Sequence, residues 1–239
     1  MTRDYTDKDK SNEDLKGSSG GAVARHDLAD VRRSYNTGVL LEEACENNPL
    51  DQFRKWMEDA LAVKVNLDPT AMVLATADTD GMPRQRTVLL KGFDERGFCF
   101  FTNLDSAKGR AISSNPKVCL LFPWLILERQ VIIQGEAIRL ERSADERYFH
   151  SRPRESQLGA LASRQSEAVE SRAVLDKIYG ETVNRYADRD EITLPENWGG
   201  YRVVPSRYEF WQGRSSRLHD RLEYTKREPD GWRLTRLQP

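Results

Sequence analysis

A short segment near the carboxyl end concentrates basic side chains: Arg217-Leu218-His219-Asp220-Arg221. If the segment is an extended strand, Arg217, His219 and Arg221 share one face, because side chains alternate along a strand. Two guanidiniums around an imidazole would bind an anion. The same alternation turns Asp220 away from His219, which argues against a Ser-His-Asp arrangement. On spacing alone, an ordinary solvated strand face is an equally good interpretation.

A second basic group belongs to a predicted strand over residues 84–90. Arg86 lies within this strand and Lys91 directly follows it. The two residues differ in parity, so a regular strand would direct them to opposite faces unless Lys91 lies beyond the strand end. On opposite faces they would bind different anions. Charges that keep a sheet edge from aggregating are an equally good explanation.

A third candidate lies where a strand ends at Phe101-Thr102 and a short helix is predicted over residues 107–114, with Lys108 in its first turn. The free N–H groups at a helix N-terminus attract phosphate. A plain Ser or Asp helix cap is the simpler interpretation and is favoured on spacing alone.

A fourth candidate is formed by Tyr148, Arg152 and Ser156, which recur at intervals of four residues. Pro153 interrupts a continuous helix, but the three side chains can still converge where a second helix begins. They would then form another anion site. The alternative is a surface helix-turn-helix with a salt bridge.

Gln130 borders the apolar run Val131-Ile132-Ile133. If its amide is buried, it needs a hydrogen-bond partner. The amide-like edge of a planar heterocycle would serve. A backbone group would serve as well and is the simpler partner.

Two or three separate anion sites indicate a phosphorylated small molecule as the ligand. Large aromatic residues near these segments would stack on a ring. They are Trp198, Tyr208, Phe210 and Trp211.

Composition excludes several classes of protein. The 239 residues carry 37 Lys plus Arg and 38 Asp plus Glu, a formal net charge of −1. Nucleic-acid and polybasic membrane binders need a net positive surface, so neither is expected. No apolar run has the roughly 18 residues of a membrane span, and the polar start is not a signal peptide. A cytoplasmic location is the resulting expectation. The three Cys and three His are scattered, so no metal site is predicted.

Hydrophobic periodicity predicts a β-rich core with inserted helices, which argues against a Rossmann fold. Several strands are apolar on both faces, as expected for a barrel with helices packed outside. The predicted strands cover residues 71–77, 84–90, 98–102, 118–122, 129–140, 201–204, 207–212, 218–224 and 232–237. The predicted helices begin at Asn48-Pro49, cover 107–114, begin at the capping box Ser143-Ala144-Asp145-Glu146 and near Pro153, and cover 166–186. In the first helix, the expected apolar face comprises Leu50, Phe53, Met57, Ala60 and Leu61.

The amino-terminal residues 1–27 lack periodicity and contain Gly17-Ser18-Ser19-Gly20-Gly21, so a disordered tail is predicted there. Residues 28–239 are expected to form a single domain. Within it, residues 28–47 form an amino-terminal segment.

Together, the segments resemble the pyridoxamine 5′-phosphate oxidase family from about Asp27 to Pro239. The motifs occur in chain order and jointly are very specific. They are Arg86-Thr87-Val88-Leu89-Leu90-Lys91, Phe122-Pro123-Trp124, Leu127-Glu128-Arg129-Gln130-Val131, Tyr148-Phe149-His150-Ser151-Arg152-Pro153-Arg154, Trp198-Gly199-Gly200, Glu209-Phe210-Trp211-Gln212-Gly213 and Arg217-Leu218-His219-Asp220-Arg221.

The resemblance implies a mainly β, α+β fold, an FMN-binding split β-barrel that forms a homodimer with FMN at the subunit interface. It implies oxidation of pyridoxine or pyridoxamine 5′-phosphate to pyridoxal 5′-phosphate, with O2 reduced to H2O2. The residues implied to bind FMN are Arg86, Thr87, Val88, Leu89, Leu90, Lys91, Phe101, Thr102, Lys108, Gln130, Gln165, Ser166, Trp211 and Arg221. Those implied to bind the substrate are Arg32, Tyr35, Lys91, Tyr148, Arg152, Ser156, Arg217 and His219. Arg217 and His219 would be catalytic, and Arg32 and Tyr35 would close over the site.

Two departures from the family pattern concern the cofactor. Ala107 stands where an Arg usually precedes the helix Lys, so one phosphate contact is missing and Arg110 is a candidate substitute. Phe101 stands where Tyr is common, which removes a hydroxyl. Two other functions stay open at this point: another split-barrel flavin oxidoreductase, and a non-catalytic carrier of pyridoxal phosphate.

Overall fold

The computed structural model describes residues 34–65, 68–227, 229 and 231–239. The predictions for residues 1–27 and for Arg32 lie outside these residues. Ser34–Pro239 form one compact unit. Within the described ranges, every helix is too short or too polar to span a bilayer.

Helix α1 (Pro49–Ala62) begins where the sequence predicts, because the Asn48 side chain accepts the N–H of Leu50 at 3.0 Å. Its apolar face carries Phe53, which is fully buried among the rings of the sheet. The ring centroid of Phe53 lies 4.9 Å from that of Phe98 and 5.0 Å from that of Phe122. Leu61 was expected on the same face but is 51% exposed, since it lies at the edge of the apolar stripe.

In the described residues the strands are β1 (Ala71–Ala77), β2 (Pro83–Leu89), β3 (Gly92–Asp94), β4 (Gly97–Asn103), β5 (Lys117–Trp124), β6 (Arg129–Arg139), β7 (Trp198–Gln212), β8 (Asp220–Arg227) and β9 (Gly231–Leu237). They form one antiparallel sheet in the order β2-β1-β5-β6-β7-β4-β3, with β8 pairing β7 and β9 pairing β8. The α+β class with a curled barrel sheet and peripheral helices is confirmed.

Strand β7 joins the two halves of the sheet. Its first part pairs with β4, its last part with β8, and β6 runs along most of its length. The sequence predicts two strands here, over 201–204 and 207–212, but the structure has one strand of 15 residues. A register shift between Gln134 and Gly135 of β6 takes up the irregularity near Pro205, so the strand bends without ending.

The remaining helices are α2 (Ala107–Ser114), α3 (Arg142–Ser151), α4 (Arg154–Ala162) and α5 (Arg172–Arg185). The predicted capping box at Ser143 is wrong: the N-cap is Glu141, and its side chain makes no capping hydrogen bond. The predicted helix over 166–186 is too long, because Ser171 caps α5 through the N–H of Val174. A second, smaller core (Phe149, Leu158, Ile192, Leu194 and Trp198) lies beside α3, α4 and the start of β7.

Candidate active site

A cavity of about 860 Å³ opens between β2, the end of β4, and helices α3 and α4. We call it the cationic cavity. Its lining residues are Arg86, Thr87, Val88, Leu89, Lys91, Phe101, Thr102, Asn103, Lys108, Tyr148, Arg152, Pro153, Ser156, Gly159, Ala160, Ser163, Gln165 and Trp198. Arg86, Lys91, Lys108 and Arg152, which come from three separate segments of the sequence, therefore meet at one place.

The charged side chains that line this cavity are all positive. Arg86, Lys91, Lys108 and Arg152 line it, and none of its described lining residues is an Asp or Glu. Burial lowers the pKa values of the Arg86 and Arg152 guanidiniums. Cations gathered without a counter-charge in a partly desolvated cavity favour an anionic ligand.

Lys108 projects from the first turn of α2, and its side chain is mostly buried. Its Nζ donates to Gln165 Oε1 at 2.7 Å and to Thr102 Oγ1 at 3.1 Å. Burial, and secondarily the charge of Arg86, lower the pKa of Lys108 to about 8. Neutral oxygens thus orient the ammonium without neutralising it.

Arg152 lies where α3 ends, directly before the Pro153 that separates α3 from α4. Its guanidinium carbon is 5.0 Å from the ring centroid of Trp198, which holds the group by a cation–π contact. Its Nη1 is buried and has no hydrogen-bond partner in the described part of the chain. A buried donor of this kind is costly unless an acceptor binds there, so Arg152 fits a ligand oxygen in the cavity.

Three aromatic rings form one wall of the cavity. Phe101 stacks on Tyr148 with 4.1 Å between centroids and on Trp198 with 5.5 Å. Gly200 makes this packing possible, because a Cβ there would lie 2.7 Å from Phe101 Cε1. Trp198 was expected only as a nearby aromatic residue, although the Trp-Gly-Gly motif was a signal that backbone and ring pack closely. Asn103 and Ser163, which also line the cavity, carried no signal of their own.

The structure decides between the two positions that the sequence allows for Lys91. The strand stops at Leu89, and Lys91 lies beyond it, so Arg86 and Lys91 line the same cavity. Leu90 does not line it; this residue is buried and its N–H bonds to the carbonyl of Thr70. Ser166 is exposed, and its Oγ accepts the N–H of Ala107 at the start of α2.

Arg110 does not take the place of the missing arginine. Its guanidinium donates to the backbone carbonyl of Asp105 rather than lining the cavity. The expectation that Arg110 substitutes at this position is therefore wrong in this structure. The segment around Ala107 presents its backbone and Lys108 instead.

The other predicted residues form a second cluster. Gln130, Trp211 and Arg221 lie opposite one another on β6, β7 and β8, so their side chains share one face of the sheet. We call these three the tryptophan row. None of them lines the cationic cavity. Arg221 is held by Glu209, whose Oε1 accepts from its Nε at 2.8 Å, and this bond raises the pKa of Arg221.

His219 packs on the tryptophan row, with its ring centroid 4.7 Å from that of Trp211. The prediction that Arg217, His219 and Arg221 alternate along one strand is wrong, because β8 begins only at Asp220. Residues Ser215–Arg217 form a 3-10 turn in which Ser216 and Arg217 have φ of 57° and 61°. The turn replaces the regular alternation, so spacing could not place Arg217.

Tyr35 adds a third ring to this cluster. Its centroid lies 5.8 Å from Trp211 and 5.5 Å from His219, both edge-on. Most of the predicted site residues that the structure describes therefore fall into two groups, the cationic cavity and the cluster of Tyr35, His219 and the tryptophan row. Leu90, Ser166 and Arg217 do not line the cavity. The described residues contain no group of three or more His, Cys, Asp or Glu that could hold a metal ion.

Comparisons with known proteins agree on one family. Residues 57–181 match the family model described as pyridoxamine 5′-phosphate oxidase. Residues 198–239 match that of the pyridoxine 5′-phosphate oxidase C-terminal dimerisation region.

Individual relatives cover almost the whole chain. The pyridoxine/pyridoxamine 5′-phosphate oxidase of Idiomarina loihiensis is 52% identical and covers 89% of this chain and 100% of its own. That of Rubrobacter xylanophilus is 53% identical, over 90% of this chain and 98% of its own. The crystal structure of PhzG from Burkholderia lata, in complex with tetrahydrophenazine-1-carboxylic acid, has a TM-score of 0.77 at 30% identity, covering 84% of this chain and 98% of its own. The chain belongs to the pyridoxamine 5′-phosphate oxidase family.

Proposed function

We propose that this protein oxidises pyridoxamine 5′-phosphate and pyridoxine 5′-phosphate to pyridoxal 5′-phosphate, using FMN and O2 and releasing H2O2. The amine substrate also consumes water and releases ammonia. The relatives that carry this activity in their names are about half identical to the chain. The observation that carries the proposal is the cationic cavity, where four cations meet without a lining carboxylate. A flavin phosphate and a substrate phosphate are two anions that need such a place.

The positive charge and the lining residues of the cavity support FMN as its ligand. Lys108, with Arg86 beside it, would hold the flavin phosphate, and the buried ammonium would gain from an anion close by. Thr87, Val88 and Leu89, with Phe101 and Thr102, would line the remainder of the flavin. When bound, FMN supplies the redox chemistry: it accepts a hydride equivalent from the substrate and passes the electrons to O2.

The substrate phosphate would be bound by Lys91, Tyr148, Arg152 and Ser156, which all line the cavity. Arg152 offers the clearest support, because its buried Nη1 has no acceptor among the residues that the structure describes. Fixing the phosphate orients the ring and its oxidisable carbon, which is the contribution a protein makes when a cofactor carries the reaction.

His219 would face the substrate ring as a hydrogen-bond donor. Its Nδ1 accepts the backbone N–H of Arg214 at 3.0 Å, so the ring hydrogen of the neutral imidazole lies on Nε2. An Nε2–H donates to a substrate oxygen and does not take a proton there. Arg217 ends the 3-10 turn that precedes His219 and would add a positive charge beside it.

A homodimer would complete the site. Gln130, Trp211, Arg217, His219 and Arg221 do not line the cationic cavity of their own chain, and residues 198–239 match a dimerisation region. We propose that these five residues of one subunit face the cationic cavity of the partner subunit, with FMN between them. Mixing an inactive Lys108→Met dimer with an inactive Arg217→Met dimer, followed by subunit exchange, should restore activity. Two variants that stay inactive after verified exchange would contradict the shared site.

An anaerobic flavin spectrum tests the proposed reaction. Protein loaded with FMN is mixed with pyridoxine 5′-phosphate and then exposed to air. We expect the visible absorption band of the oxidised flavin to bleach when the substrate is added and to recover in air, with one aldehyde formed per flavin reduced. A bound flavin that stays oxidised with both phosphorylated substrates would refute the oxidase and leave a carrier.

A further inference from the structure

We propose that Glu128 is a positioning residue that holds Tyr35 against His219 and Trp211. The catalytic meaning of this role depends on the proposed oxidase activity. Glu128 lies in the turn between β5 and β6, outside the cationic cavity. Its role follows from contacts that its carboxylate and its own backbone make with two distant segments.

The carboxylate of Glu128 binds the segment that carries Tyr35. One oxygen, Oε2, accepts the N–H of Asn36 at 2.8 Å and the N–H of Thr37 at 2.9 Å. Glu128 is only 2% exposed, so this charge is removed from water. Irregular backbone has no ladder of its own to satisfy its N–H groups, and the carboxylate supplies an acceptor to two successive ones.

The backbone of Glu128 binds the other segment. Its carbonyl accepts the N–H of Gly213 at 2.7 Å and Nε2 of Gln212 at 3.2 Å. Gly213 begins the loop that leads to His219. One residue therefore binds both the two residues that directly follow Tyr35 and the start of the loop that leads to His219. Its left-handed φ of 53° orients the carbonyl and the side chain for these two tasks.

The two segments meet with little space between them. A Cβ on Gly213 would lie 2.7 Å from Cδ1 of Tyr35, so the ring rests directly on the backbone of the loop. Farther along, the N–H of Leu40 donates to Asp220 Oδ2 at 3.0 Å, which holds the segment at a second point. The bonds of residues 36 and 37 to Glu128 are thus the contacts nearest in sequence to Tyr35 that hold this segment against the loop.

Glu128→Gln tests the anchor because Gln keeps the size of the side chain but loses its charge. We expect amides 36 and 37 to exchange about tenfold faster with deuterium, since a neutral acceptor replaces a charged one. Asp145→Asn is the matched control: Asp145 is a buried carboxylate that accepts the N–H of Gly200 at 2.7 Å. It should leave exchange at 36 and 37 unchanged. Unchanged exchange in Glu128→Gln would overturn the anchor.

A double-mutant cycle tests the route through Tyr35. Glu128→Gln should lower kcat/KM about tenfold, leave the dissociation constant of FMN unchanged, and cause no further loss when Tyr35 is already Ala. Gly213→Ala displaces the same ring with the carboxylate intact and should behave alike. If Glu128→Gln and Gly213→Ala each lower kcat/KM further in the Tyr35→Ala background, the positioning role is overturned. Wild-type protein that oxidises neither substrate would instead refute the proposed function, while amide exchange would still decide the anchor.

Discussion

Lys108 gives a quantitative prediction for the pH dependence of FMN binding. Its pKa is lowered to about 8 by burial and by Arg86, from an ordinary value of 10.5. A phosphate dianion beside the ammonium would restore the higher value, so binding takes up a proton when the pH exceeds 8. Full affinity is therefore present below pH 8 and is lost as the pH rises. Between pH 7 and pH 9 the charged fraction falls about tenfold, and the dissociation constant of FMN should rise about tenfold.

Quenching of flavin fluorescence during titration at pH 7 and pH 9 measures this change. Two controls isolate Lys108 and the phosphate. Lys108→Arg keeps a charge at both pH values, so its FMN affinity should change much less. Riboflavin lacks the phosphate, so its affinity for the wild-type protein should not show the tenfold change.

The unliganded protein should show the opposite dependence. The folded pKa of Lys108 lies below the unfolded one, so the free energy of unfolding should rise with pH between about 8 and 10.5. Urea unfolding of wild type and Lys108→Arg across this range gives the contribution of Lys108 by difference. If FMN affinity falls equally in Lys108→Arg, or equally for riboflavin, the assignment of Lys108 to the flavin phosphate is wrong.

Further predictions concern the substrate, the histidine and the core. Arg152→Met should raise KM for both phosphorylated substrates by about 10- to 100-fold, through loss of a charge-assisted bond, with FMN affinity unchanged; an unchanged KM would remove Arg152 from the phosphate site. His219→Gln keeps a donor near the Nε2 position, whereas His219→Asn keeps only the acceptor for Arg214, so the Gln variant should retain more kcat. The reverse order of the two steady-state rates would contradict the donor role. Phe53→Ala should destabilise the fold by about 3–5 kcal/mol in urea unfolding, and a loss below about 1 kcal/mol would show that α1 contributes little to the core.

Most of the fold could be predicted because its signals are local. Alternation and turn residues located β1 and β4, and Asn48-Pro49 located the start of α1. The failures arose where tertiary contacts override local preference. Pro205 looks like a strand break, yet pairing with β6 carries β7 across it. The Ser143 cap signal is overruled because α3 already begins at Arg142.

The sequence allowed the residue types of the candidate site to be predicted, but not how these residues are arranged in space. Basic side chains at 86, 91, 108 and 152 indicated anions, and the structure brings all four into one cavity. The strand geometry assumed for Arg217 and His219 failed, because a turn with two left-handed residues leaves no periodic pattern. Glu128 had no distinct signal, since its partners Asn36 and Thr37 are more than 90 positions away.

The contacts between the two ends of the described chain set an order on folding during synthesis. Leu40 binds Asp220, 180 positions later, and Glu42 binds Arg236, 194 positions later. The ribosome therefore has to synthesise the chain as far as Asp220 and Arg236 before Leu40 and Glu42 find these partners. The sheet also closes late, because β6 lacks its partner β7 until residues 198–212 have been made. During this interval one edge of β6 is open to pairing with other chains.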